Sequence, residues 1–152
     1  MATTEKWLLG SATTLLSTGL NSLADLAVAL SSAFDNTQGQ SGDGYTLCEL
    51  QLDVTFASAP TANTAVVVWF LRCLDGTNYE TYTATGTSTP PKARLPNVTF
   101  PLEAVTTQQI ITRMVLLPNG LMKALLKNDG TGRAFPASGS TLKIRPVTRQ
   151  GV

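Results

Sequence analysis

The sequence contains no histidine among its 152 residues. This absence removes Ser-His-Asp triads, Cys-His dyads and histidine-ligated zinc or iron from the chemistry available to the chain. Only two cysteines are present, Cys48 and Cys73, with no Cys-x-x-Cys spacing, and two thiols alone do not complete a structural zinc site. We expect both to be small core residues. On these residue types the sequence therefore predicts no metal, no cofactor and no catalytic residue.

Charged residues are also scarce, at 14% of the chain against roughly 25% in an average soluble domain.

No run of about eighteen apolar residues occurs, which excludes a transmembrane helix. The apolar stretch Trp7-Leu8-Leu9 is interrupted too early to form the core of a signal peptide. We therefore predict a protein that is soluble at synthesis and has no membrane partner.

Carboxylates remain as candidate acid and base groups. Glu49 and Asp53 lie four residues apart on one predicted strand, a separation of about 13 Å, which is too long for a glycosidase pair. Other Asp and Asn residues stand beside glycine, where they are ordinary turn residues and lack the spacing of an EF-hand calcium loop. No glycine-rich phosphate-binding motif precedes a helix. These residues therefore give no support to an enzyme.

Apolar and polar residues alternate along much of the chain, which predicts short strands. The clearest case is 45–56, where Leu50, Leu52, Val54 and Phe56 share one side. The continuous apolar run at 65–71 predicts a central strand that is covered on both faces. Further extended segments are predicted at 12–16, 79–85, 98–102, 109–117, 121–127 and 142–146, the last ending at Pro146. Polar or proline-rich loops are predicted at 35–44 and 86–96.

Residues 20–34 fit two interpretations. Leu20, Leu23, Ala27 and Leu30 follow helical spacing, so a capped helix is possible. Alternatively, a turn at 22–25 would let the following residues alternate as a strand that ends near Phe34. We favour the strand.

About eight strands with turn signals between them, and no helical crossover, predict an all-β fold. An antiparallel β-sandwich fits this pattern, and a jelly roll is the best-fitting topology. We expect residues 11–152 to form this single domain. Residues 1–10 would form an N-terminal arm, with a frayed terminus or an ordinary edge strand as the alternatives.

The basic residues are concentrated towards the C-terminus. Residues 1–112 carry four basic and nine acidic side chains, whereas residues 113–152 carry seven basic and one acidic. The basic residues are spread singly and lack interleaved aromatics, so we expect no nucleic-acid partner. They would form a solvated sheet face or a patch that docks on an acidic protein. The candidate contact residues are Trp7, Leu8, Leu9, Lys143, Arg145 and Arg149.

Aromatic side chains could also stack on sugars. Trp69 lies inside the apolar run and is expected in the core, while Tyr79 and Tyr82 have opposite parity on one predicted strand. At most one of these tyrosines would face a given surface. The signal for carbohydrate binding is therefore weak.

Four phrases are scattered over most of the chain: Leu20-Asn21-Ser22-Leu23-Ala24, Ser32-Ala33-Phe34-Asp35-Asn36, Asp75-Gly76-Thr77-Asn78-Tyr79 and Leu142-Lys143-Ile144-Arg145-Pro146. Together they resemble small structural proteins encoded in the head and tail gene clusters of tailed bacteriophages. The resemblance implies a virion jelly roll without catalytic residues, in particular a decoration (cement) protein that stabilises the outer surface of the capsid. Its partners would be the major capsid protein and further copies of itself, as a dimer or trimer. It would be made in the cytoplasm of the bacterial host and end up on the virion.

Two alternatives remain open for such a fold. One is a structural or receptor-contacting module of the phage tail or fibre. The other is a carbohydrate-binding module that belongs to no particle. An enzyme ranks last, because no arrangement of carboxylates or serines supports one.

Overall fold

The computed structural model describes residues 5–36, 45–81 and 95–151. Within these ranges the chain contains the short 3₁₀ turn Thr18–Leu20 and nine strands. The strands are β1 Glu5–Leu9, β2 Thr13–Leu16, β3 Val28–Asp35, β4 Leu47–Val54, β5 Ala65–Cys73, β6 Val98–Pro101, β7 Gln109–Leu116, β8 Leu121–Asp129 and β9 Thr141–Gly151.

The strands form two sheets in which every described strand pairing is antiparallel. Sheet A has the order β1-β9-β4-β7, with β2 also paired to β9, and sheet B has the order β3-β8-β5-β6. β1 and β2 count as one interrupted strand because both run antiparallel to β9. The resulting eight strands are distributed between the sheets as in a jelly roll. The predicted all-β jelly-roll sandwich is confirmed.

The hydrophobic core fills the space between the sheets. Leu50, Leu52, Val54 and Phe56 are all buried there, as the alternation of β4 predicts. β5 is covered on both faces, since Val66, Val68 and Phe70 join this core while Val67, Trp69 and Leu71 form a second buried cluster on the outer face of sheet B. Trp69 is therefore a buried core residue, as expected.

The region at 20–34 contains the strand that we favoured. Ser22 and Leu26 have φ values of 54° and 64°, which a helix does not accommodate, and β3 begins at Val28. The backbone N–H of Leu26 donates to the carbonyl of Asn128, so this segment is held by β8. Tertiary bonding therefore overrides the helical spacing of the leucines.

The prediction that the last strand ends at Pro146 is wrong, because β9 continues to Gly151. The carbonyl of Pro146 accepts a 2.8 Å hydrogen bond from the Gly10 N–H, so this residue's polar groups face β1. A strand residue directs its N–H and C=O to the same side. A backbone N–H at position 146 would therefore point to the interruption between β1 and β2. Its absence in proline costs little stability there.

Several predicted segments reach beyond the described residues. The predicted loops at 35–44 and 86–96 lie mostly in the stretches 37–44 and 82–94, which are outside that description, as are residues 1–4 and Tyr82. Tyr79 makes an isolated bridge to Cys73. Within the described residues 79–81 no strand extends from that bridge.

Residues 5–9 form β1, an edge strand of sheet A paired with β9 from Glu5↔Gly151 to Leu9↔Val147. An arm at residues 1–10 that reaches another molecule stays a prediction, as does the domain boundary at residue 11. Among the described residues no helix is long and apolar enough to cross a membrane.

Candidate functional site

The surface that carries the candidate contacts is the outer face of sheet A, which points away from the core. Residues aligned across neighbouring strands point to the same side of a sheet. Because Leu50, Leu52 and Val54 point inward, the intervening residues of β4 and their aligned neighbours face outward. These outward positions are Trp7 and Leu9 on β1; Lys143, Arg145 and Val147 on β9; Leu47, Glu49, Gln51 and Asp53 on β4; and Ile110, Thr112, Met114 and Leu116 on β7.

The β7 part of this face is strongly apolar. Ile110, Met114 and Leu116 are 56%, 55% and 74% exposed. On the opposite edge Trp7 and Leu9 are 53% and 52% exposed. Five of the eight described large apolar residues that are exposed therefore lie on one sheet face, which is a feature of interaction surfaces.

An apolar row crosses the face at the level where β1 ends and β4 begins. The backbone register aligns Leu9 with Val147, Val147 with Leu47, and Leu47 with Leu116. Val147 is buried in the middle of this row, whereas Leu9 and Leu116 are exposed at its ends. The row joins the apolar edges into a continuous strip.

The centre of the face is polar and carries both signs of charge. The Arg145 Nε donates to Glu49 Oε2 at 2.7 Å, and the two side chains form an ion pair. Gln51 Nε2 donates to Thr112 Oγ1 at 3.2 Å. Cations therefore stand on β9 and acidic or amide groups on β4.

A cleft of about 490 Å³ opens in this polar centre. It is lined by Ala12, Glu49, Gln51, Thr112, Lys143, Ile144 and Arg145. Ala12 belongs to the interruption between β1 and β2, so the break in the edge strand forms one wall. The cleft has room for long polar side chains from a partner or for a polar ligand.

The structure brings together candidate residues from the two ends of the sequence. Trp7, Leu9, Lys143 and Arg145 lie on one face because β1 pairs with β9. Leu8 alternates to the other side of β1 and is half-buried. The backbone of Arg149 is aligned with Trp7, and its side chain is outside the description.

The basic C-terminal segment does not form one patch. Lys143 and Arg145 face outward from sheet A, while Lys123 and Lys127 lie beside the outer apolar cluster of sheet B. Lys127 pairs with Asp129 at 2.7 Å, and the Lys123 ammonium stands 4.4 Å from the centroid of the Tyr79 ring. The basic residues are therefore distributed over the two opposite outer faces of the sandwich.

Sequence reasoning missed the three exposed apolar residues of β7. The 109–117 segment alternates imperfectly, because Ile111 and Val115 point towards the core while Ile110, Met114 and Leu116 also carry large apolar groups. Apolar residues on both sides of this segment were the available signal, because they indicate a strand whose outer face contacts another surface.

A second concave feature lies where the two sheets end. A groove of about 620 Å³ there is lined by residues that include Tyr45, Leu116, Leu117 and Pro118. Arg72 and Glu80 also line it and approach to 3.9 Å. The groove adjoins the apolar strip, because Leu116 belongs to both.

The two thiols are not arranged for catalysis. Cys48 and Cys73 are free and buried, which confirms their expected place in the core. Burial raises the pKa of the Cys48 thiol to about 12. Among the described residues no group of three or more His, Cys, Asp or Glu could hold a metal ion.

No protein-family model matches the chain, and no curated protein matches its sequence. Among solved structures it is similar to a family 35 carbohydrate-binding module from an environmental isolate, with a TM-score of 0.39, 11% identity and coverage of 87% of this chain and 74% of that one. For CBM35 from Paenibacillus barcinonensis the TM-score is 0.40 at 15% identity, over 95% of this chain and 98% of that one. For Sacbrood virus of honeybee the TM-score is 0.29 at 12% identity, over 97% and 81%. Such values leave the assignment of function to the site itself.

Proposed function

We propose that the protein is a non-enzymatic structural component of a tailed-phage particle, which attaches to the outside of the capsid as a decoration protein. The resemblance of its sequence phrases to phage structural proteins suggests the particle. The observation that carries a contact role is the apolar strip on the outer face of sheet A. The residues at both edges of the strip are exposed, and the strands that carry them pair in a regular register.

A flat apolar strip with a polar centre suits contact with a large partner. Small-molecule sites usually enclose most of a ligand in an apolar pocket, whereas this face is open and its cleft is polar. Protein interfaces place apolar anchors beside polar groups that set orientation. Trp7, Met114 and Leu116 would be the anchors, and Lys143, Arg145 and Glu49 would set the register.

Decoration needs no catalytic centre. Many copies on one shell act together, so a modest affinity at each site gives a large stabilisation of the particle. The chain has no histidine to act as a general base, and the carboxylates of Glu49 and Asp53 are held by Arg145 and Gln108. These observations support a binding role over an enzymatic one.

The proposal is tested by co-sedimentation of the purified protein with phage shells assembled without it. We expect saturable binding that falls when Met114 and Leu116 are both replaced by Ser. Arg113→Ser is the matched control, because Arg113 is exposed on the same strand but alternates to the other side. Failure of the wild-type protein to bind shells, together with binding to tail tubes or to a glycan array, would replace the proposal with one of its alternatives.

A further inference from the structure

We propose that a second copy of this chain covers the outer face of sheet A, related by a two-fold axis that runs parallel to the strands between β9 and β4. The inference rests on the decoration role proposed above and assigns the contact of this face to a second copy, so variants of the face weaken attachment to the shell by separating two linked shell-binding copies. It follows from the order of side chains across the sheet. When one copy is rotated onto the other about this axis, each side chain of the central rows meets a side chain of complementary charge or polarity.

The rotation exchanges the two central strands. When two such faces pack, β9 of one copy lies over β4 of the other, and each cross-strand row faces the same row in the partner. Arg145 then stands opposite Glu49 of the second copy, and Lys143 stands opposite Gln51. The cations of β9 thus meet the acidic and amide groups of β4 twice, once on each side of the axis.

The same rotation exchanges the two edge strands. β7 of one copy faces the β1 and β2 edge of the other, so Leu116 meets Leu9 of the second copy. In the same row Val147 faces Leu47. The apolar row of Leu9, Val147, Leu47 and Leu116 therefore faces the same row of the partner, next to the charged rows.

The face is large enough for a specific interface. Four strands spaced about 4.8 Å apart, with eight residues at about 3.3 Å each, present about 500 Å². Two copies would bury about 1,000 Å², which is the lower bound for a specific association. Face-to-face sheets pack about 10 Å apart with strands within about 30° of alignment, so the central rows keep their register. The polar cleft gives the partner's Lys143 and Arg145 room to enter.

A charge-swap experiment tests the symmetry directly. In Lys143→Glu/Arg145→Glu both central strands become acidic, and in Glu49→Lys/Asp53→Lys both become basic. Each variant alone would then place like charges opposite each other in the dimer. In an equimolar mixture, however, the acidic β9 of the first variant faces the basic β4 of the second, and the reverse holds on the other side of the axis.

Sedimentation velocity of the full-length protein is the measurement. We expect a wild-type dimer, at least a tenfold rise in Kd for each variant alone, and recovery of the dimer in the mixture. Arg113→Glu, a charge reversal on the other side of β7, is the control and should leave the dimer unchanged. Leu116→Asp provides a second variant at a site that is 74% exposed, where folding tolerates the change, and it should also weaken the dimer.

A monomeric or trimeric wild type, or a mixture of the two charge variants that stays monomeric, would overturn the inference. Shell binding measured on the same samples separates this result from failure of the proposed function. Monomers whose shell binding is lost on charge reversal would assign the face to the capsid instead. Dimers that bind no shell would leave the two-fold pairing intact and remove the decoration role.

Discussion

The hydroxyl of Thr131 donates a 2.6 Å hydrogen bond to the side-chain oxygen of Asn128, and neither residue has exposed surface. The amide nitrogen of Asn128 donates to the carbonyls of Leu23, Ala24 and Arg133 at distances of 2.7 to 3.2 Å. One buried side chain at the end of β8 therefore fastens two connecting segments of the sandwich.

Replacing Asn128 by Ala should lower the free energy of unfolding by about 3 kcal/mol, because buried carbonyls and a hydroxyl would lose their partner. Urea denaturation followed by circular dichroism measures the loss. Asn21→Ala is the control, since Asn21 is exposed, and it should change stability by less than about 0.5 kcal/mol. Equal effects of the two substitutions would contradict the role given to Asn128.

The sequence predicts the strands better than it predicts the face they build. Alternation in 45–56 and the apolar run at 65–71 locate β4 and β5 because burial acts on each strand locally. The meeting of Trp7 with the β9 residues depends on pairing between strands more than 130 residues apart in the chain, and no local pattern encodes that register. The extension of β9 past Pro146 was missed for the same reason.

Cys48 should be unreactive in the folded protein. Its thiol is fully buried, and a pKa of about 12 keeps it protonated at pH 8. In a Cys73→Ser variant, which leaves Cys48 as the only thiol, Ellman's reagent should label nothing until urea unfolds the chain. Rapid labelling of the native variant, at a rate independent of urea, would show that the strand opens or that the thiol is accessible.

The raised pKa of Cys48 also predicts that the folded protein becomes less stable at alkaline pH. Above about pH 9 the unfolded chain ionises this thiol while the folded chain keeps it neutral, so stability falls until the pH reaches about 12. A Cys48→Ala variant should show a smaller decline over this range in thermal unfolding. Parallel curves for the two proteins would contradict the assignment.

Asp75 organises the turn that follows β5. The backbone N–H of Asn78, the Asn78 side chain and the backbone N–H of Thr77 all donate to its carboxylate, and they hold its pKa well below the ordinary value. A lowered pKa in the folded state stabilises the fold above about pH 4, and that contribution is lost as the pH falls. Wild type should therefore exceed Asp75→Ala in stability at pH 7, and the difference should shrink towards pH 2. A stability difference between the two proteins that stays constant from pH 7 to pH 2 would contradict the role given to Asp75.

Deletion of residues 2–10 should preserve the sandwich. Of the residues of β1 whose side chains are described, none belongs to the buried core, which begins at Leu15. The deletion removes Trp7 and Leu9 from the outer face of sheet A, so we expect attachment to shells to weaken while the circular dichroism spectrum stays that of a β protein. Loss of the folded state, or full attachment by the truncated protein, would contradict this prediction.

The decoration role is tested by cryo-electron microscopy of shells assembled without the protein and then incubated with it. We expect regular added density on the outer shell, with the outer face of sheet A in contact with a neighbouring molecule. Shells that remain bare at saturating protein concentration would contradict the decoration role.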